Sequence, residues 1–138
     1  MSDLPPPPVV TQEIRIVDGS GATRMVLSAK GAAPVIEMRQ DDGKVTATIS
    51  LDAAGRPAVR LGNPDPAGPT AALEVDDKGA HVRFDRPGGA ASYLFLNNAG
   101  VSGVVLIDPN GTRRLSATVG ADGDAQIARF GPDGEPLP

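Results

Sequence analysis

His81 is the first residue to weigh for chemistry, because an imidazole titrates near neutral pH and can act as base, acid or metal ligand. It is the chain's single histidine, and it opens the segment His81-Val-Arg-Phe84 on that segment's polar phase. No second histidine, no cysteine and no serine in a recognised nucleophile setting accompanies it. A Ser-His-Asp triad or a zinc site of the usual composition is therefore out of reach, and His81 reads as a surface or rim residue. Gly19-Ser-Gly21 lacks the full G-x-S-x-G elbow, so Ser20 reads as a turn serine. Acid pairs stand at Asp41-Asp42 and Asp76-Asp77, and acids recur at Asp122 and Asp124. They raise calcium as a candidate, yet neither the EF-hand loop nor the G-G-x-G-x-D nonapeptide is present, and turn chemistry accounts for them. No P-loop, and no G-x-G-x-x-G leading into a helix, offers a phosphate cradle. Asn110-Gly-Thr112 has the form of a glycosylation sequon and reads as a hairpin turn. The residues predict no catalytic site, no metal site and no cofactor: a protein that is not an enzyme.

Charge excludes another class. The chain of 138 residues carries a net charge of −4, and its 13 lysines and arginines are scattered singly apart from Arg113-Arg114. That is not the clustered basic face that nucleic-acid binding requires, so no nucleic acid is expected as a partner. The longest apolar run, residues 104–107, falls far short of the ~20 residues of a membrane helix. Residues 1–13 hold Asp3 and four consecutive prolines where a secretory leader has a basic start and an apolar stretch. The expectation is a cytoplasmic protein without a transmembrane segment, possible at the cytoplasmic face of a membrane complex.

The elements that must position these residues are announced by glycine. One series of turns places it at 21, 43, 68, 89, 111 and 134, and a second at 31, 55, 79, 100 and 123. Spacings run from 21 to 25 residues in the first series and from 21 to 24 in the second. The unit is thus about 23 residues with two turns, hence two strands. Most turns begin on Asp, Asn or Gln, as in Asp52-Ala-Ala-Gly55, Asn97-Asn-Ala-Gly100 and Asp108-Pro-Asn-Gly111. Glycine tolerates positive φ, and an Asp or Asn at the turn start can bond the backbone two residues on. Between turns, apolar residues recur with a period of two: Ile14 and Ile16, Met25 and Leu27, Ile36 and Met38, Ile49 and Leu51, Leu73 and Val75, Leu94 and Leu96. This marks strands with one apolar face. Only the last unit, 127–130, reads as slipping out of phase. No window shows the i, i+3, i+4, i+7 stripe of a helix.

Short turns between successive strands dictate antiparallel pairing of chain neighbours. The predicted fold is all-β: an antiparallel up-and-down meander of about eleven short strands, folded as a sandwich, a partly closed barrel or a hairpin stack. An open single layer would leave its apolar face wet, so the sheet is expected to roll up, fold over or cover that face with a partner. Residues 14–134 are expected to form the single β-repeat domain, with 1–13 as an extended arm and 135–138 as a tail. At Asp52-Ala-Ala-Gly-Arg56, and in shortened form at Asp41-Asp-Gly-Lys44, the chain resembles the D-x-x-G-[KR] β-hairpin repeats of uncharacterised bacterial proteins. It is more distantly similar to the YD repeats of the RHS family. Neither resemblance implies a catalytic role.

Two features stand out as contact surfaces. Pro5, Pro6, Pro7 and Pro8 predict an extended polyproline arm that cannot join the sheet and can lie along a partner. The outward phase of the strands, polar at Arg15, Glu37, Arg60, Glu74 and Arg83, turns apolar at Tyr93, Phe95, Val105 and Ile107. A strand apolar on both faces is either tucked inside or docked on another protein. These features predict a non-catalytic structural protein, an accessory subunit that docks on and stabilises a larger assembly of protein subunits. The alternatives are a small-ligand or carbohydrate binding module, disfavoured by an aromatic content of 3%, and a self-assembling homo-oligomer built on exposed strand edges.

Overall fold

A computed structural model describes residues 7–138. Twelve strands are present among them: β1 (Glu13–Val17), β2 (Thr23–Ser28), β3 (Val35–Arg39), β4 (Val45–Leu51), β5 (Pro57–Leu61), β6 (Thr70–Val75), β7 (Gly79–Asp85), β8 (Ala91–Asn97), β9 (Ser102–Ile107), β10 (Arg113–Val119), β11 (Ala125–Phe130) and β12 (Pro136–Leu137). They form one sheet in chain order, every pair antiparallel. The strands β1 and β12 are its free edges. Each strand meets only its chain neighbours, so the sheet neither closes into a barrel nor folds back as a second layer. The expected meander is therefore present; of the three forms expected for it, the sandwich and the partly closed barrel are absent, and the successive hairpins lie side by side in one open layer. The connections, none longer than eight residues, hold every strand beside its predecessor.

The turns set the register. Seven share one geometry, with glycine at φ between 78° and 87° (Gly21, Gly43, Gly55, Gly100, Gly111, Gly123, Gly134). In the turn at Asp52, the Gly55 N–H donates to the Asp52 carbonyl at 2.9 Å, and the Asp52 N–H closes the ladder on the Arg56 carbonyl at 2.9 Å. This is a tight turn followed by a left-handed glycine that forms a bulge, a three-residue hairpin loop whose twist suits the flanking strands. The Asp52 carboxylate adds to the clamp, accepting the Ala54 and Arg56 N–H groups at 2.8 and 3.0 Å. Asp18, Asn97 and Asp108 repeat the same double bond.

Other connections depart from this pattern. Gly31 and Gly68 do not take positive φ, and longer loops join β2 to β3 and β5 to β6. In the second loop the Asn63 side chain bonds the Pro69 carbonyl and the Asp65 N–H, each at 3.0 Å. Gly79 is a different case: an added Cβ would stand 2.2 Å from the Leu96 carbonyl oxygen and 2.6 Å from the Asn97 Cα on β8.

The last unit does not slip. Ile127 pairs with Ala117 in phase with all the earlier strands, and the place two residues on, apolar in most units, is held by Arg129 opposite Leu115. The sheet also runs past the expected domain limits, because β1 starts at Glu13 and β12 forms inside the segment read as a tail. Pro5 and Pro6 lie outside the described residues, whereas Pro7 and Pro8 are irregular and exposed.

Two predictions follow from these turns. Gly55→Val should cost about 1 to 3 kcal/mol, through φ strain alone, because nothing lies within 4 Å of its would-be Cβ. Gly79→Val should cost more, since it also drives into the backbone of β8. Urea midpoints of the two variants check the order, and equal midpoints would contradict it. Hydrogen bonds from Ser20 lower the Asp18 carboxyl, chiefly; for Asp52 the Arg56 N–H leads, and for Asp76 the Lys78 N–H. A carboxyl with a lowered folded pKa contributes stability that is full above its unfolded value, about 3.9 for Asp. That contribution is lost as pH falls through the folded values. Melting temperature should hold from neutrality to mild acid and then drop below that unfolded value; Asp52→Asn should flatten the drop.

Candidate functional site

The registers sort every paired side chain onto one of two faces. One row reads Ile16, Met25, Met38, Ala47, Leu61, Ala71, Phe84 across β1 to β7, and its neighbour Ile14, Leu27, Ile36, Ile49, Val59, Leu73, Val82. The second row continues through Leu94, Val104, Ala117 and Ile127. From β1 to β10 this face carries no charged residue in its paired positions. Its side chains stay open to solvent: Ile49 is 48% exposed, Leu73 53%, Leu94 57% and Leu96 55%. Along the row from Ile14 to Val104 neighbours of similar height flank each other, so none covers the next, and no second layer lies above them.

The opposite face is charged and yet better sheltered. The residues Val26, Ala58 and Val105 form the buried hydrophobic set among the described residues, and all three belong to this face. Val26 pairs with Arg15 and Glu37, and Ala58 with Ser50 and Glu74. Long polar side chains lay their aliphatic stems over short apolar neighbours while their heads reach water. Those heads are joined in ion pairs: Arg15 with Glu13 at 2.6 Å, Arg39 with Glu37 at 2.5 Å, Arg83 with Asp85 at 2.7 Å.

His81 sits within such a network, half-buried rather than on the rim. Its Nε2 lies 3.2 Å from a Glu74 carboxylate oxygen, and the Arg60 guanidinium holds the other oxygen. The three residues come from β7, β6 and β5, so only the strand register brings them together. The arrangement is a charge-compensated surface network. Among the described residues no three His, Cys, Asp or Glu side chains gather as a metal site would require.

Tyr93, Phe95, Val105 and Ile107 are brought together on this same charged face. Tyr93 pairs with Val105 and Ala91 with Ile107, and the Tyr93 and Phe95 rings lie 6.2 Å apart at 51°. Phe95 stands opposite Gly103, where an added Cβ would meet the Phe95 ring at 3.1 Å and the Ala117 carbonyl at 2.7 Å. The missing side chain at Gly103 gives the ring its bed. Val105 is buried at 3% exposure and the other three are half-buried. They line an open groove of about 720 Å³ together with His81 and Thr118. The apolar surface most exposed to water is thus not this cluster but the whole face behind it. At one corner of that face Val9 lines a shallow crevice with Ile14, Leu27 and Ile36. Comparison of the sequence with protein-family models and with curated proteins gives no match.

The half-burial of Phe95 sets the size of its contribution. Phe95→Ala should cost about 1 to 3 kcal/mol, less than the ~3 to 5 of a sealed core phenylalanine. A urea titration checks this, and a loss at or above the sealed-core range would show that the ring is more deeply enclosed.

Proposed function

We propose that this chain is a non-catalytic interaction protein, an accessory subunit that docks through the apolar face of its sheet and stabilises the assembly it joins. The uncharged, open face running across β1 to β10 is the observation that carries this reading. The chain exposes 9622 Å², against about 6,700 Å² for an ordinary monomer of its mass. Such an excess is what an unpaired layer produces. Monomers rarely expose contiguous apolar patches beyond a few hundred Å², and larger ones mark interaction sites.

Magnitudes favour association. Strands about 4.8 Å apart, with residues rising about 3.4 Å, give this face an area on the order of 1,000 Å². Removing it from water contributes about 25 kcal/mol gross, more than the ~4 to 15 kcal/mol that lost rigid-body freedom costs. The charged face, with its ion pairs turned outward, suits the water side of an assembly. The groove over Tyr93 and Phe95 offers a smaller second contact on that side.

Leu94→Glu and Leu96→Glu, made together, test the reading. Both side chains are more than half exposed, so the isolated variant should keep its strand circular dichroism and melt within a few degrees of the parent. Size measurement of the native protein, purified without denaturant, should show the parent in an assembly at fixed stoichiometry and the variant outside it. An assembly unchanged by both charges would overturn the docking face.

A further inference from the structure

We infer that the occupant of the apolar face is a second copy of this chain, the two sheets stacked face to face as a two-layered β-sandwich. This rests on the docking reading above and names the partner.

Four observations converge on a copy rather than an unlike protein. The first is chemical: from β1 to β10 the paired positions of the face offer Ile, Leu, Val, Met and Ala, with Pro57, Phe84, Ser92 and Ser102, and no charge. A surface without charge has nothing with which to select a charged partner, and it is complementary to itself. The second is geometric. In one row, from Ala47 through Leu61, Ala71 and Phe84 to Ser92, large and small side chains alternate and leave ridges and hollows at the strand spacing. Two sheets with such faces interdigitate in aligned packing about 10 Å apart.

The third is area. Two faces of about 1,000 Å² each bury about 2,000 Å² together, which enters the range of permanent homodimers. The fourth is the placement of charge. Stacking two copies turns both charged faces, with the Glu13–Arg15, Glu37–Arg39 and Glu74–Arg60–His81 groups, outward to water on the two sides. An ordinary domain needs two layers around one core, and each chain supplies one. Arg129, the charged residue in phase with this face, lies on β11 near the sheet's end, where an interface has its polar rim.

Light scattering on the eluting 138-residue chain, at micromolar concentration, tests the dimer. The expected mass is twice 14.0 kDa. Leu73→Glu and Leu94→Glu should each halve it while leaving the strand circular dichroism in place, and Gln126→Glu, exposed on the opposite face, should leave it doubled. Should the glutamates unfold the chain, Leu73→Cys keeps the test decisive, because the protein has no cysteine of its own. Leu73 lies near the middle of the sheet, where an in-plane two-fold axis brings a residue close to its own copy. A short bis-maleimide spanning the ~10 Å between stacked sheets should link Leu73→Cys or Val82→Cys chains in pairs; no linkage at either position would overturn the sandwich. A doubled mass that survives both glutamates would also overturn it, placing the contact at the strand edges. A parent of single mass that binds a hydrophobic dye through Leu73 and Leu94 would overturn the second copy and leave docking on another protein standing. A single mass with a face silent to both dye and charge would overturn the copy and the docking reading alike.

Discussion

Each reversal of the chain must return the next strand in the same side-chain phase, and at seven of the eleven connections a positive-φ glycine turn of one geometry enforces it. One residue more or fewer in a hairpin moves every following side chain to the other face. The clamp seen at Asp52, with its backbone pair and its carboxylate on two N–H groups, leaves no room for such a slip. Repeated at Asp18, Asn97 and Asp108, it keeps the Ile, Leu and Val residues of successive strands on one side. The apolar face is the sum of these local decisions, with no long-range contact needed to assemble it.

The same constraint explains the inverted burial. A side chain is covered only by neighbours taller than itself or by another layer. On the charged face, arginines and glutamates tower over Val26 and Ala58 and shelter them, while the ion pairs keep the heads together. On the apolar face, Leu73 stands beside Val59 and Val82, none of which can shelter it. Stability within one chain then comes from ladder hydrogen bonds, turn clamps and cross-strand pairs. The apolar face contributes little, because its side chains stay open to water within one chain.

What the sequence makes legible follows from range. The period of two and the glycine spacing are local, so the meander, the turn positions and the two faces can all be read from residues a few places apart. The phase of Ile127 was legible too, since it precedes Gly134 by seven residues as Ile14 precedes Gly21, although the following Arg129 hides the pattern. The His81–Glu74–Arg60 network was not, because it depends on how three strands align. Nor was the number of layers, which no turn or strand encodes; hence a sandwich, a partly closed barrel and a hairpin stack all stood open where one layer is found. The cluster at Tyr93 and Phe95 drew attention because it breaks the polar phase, whereas the larger apolar surface was expected to be closed over by the fold or covered by a partner.

The central claim is that this face is covered when the protein is in its native state. Met25 and Met38 report on it directly, since they pair across β2 and β3 on the apolar side and Met38 is 48% exposed in the single layer. Brief hydroxyl-radical oxidation of the native protein, read residue by residue by mass spectrometry, measures their access to water. Cover predicts that both are oxidised slowly in the parent and several-fold faster in Leu73→Glu. Rapid oxidation of both in the parent, at the rate of the variant, would contradict it.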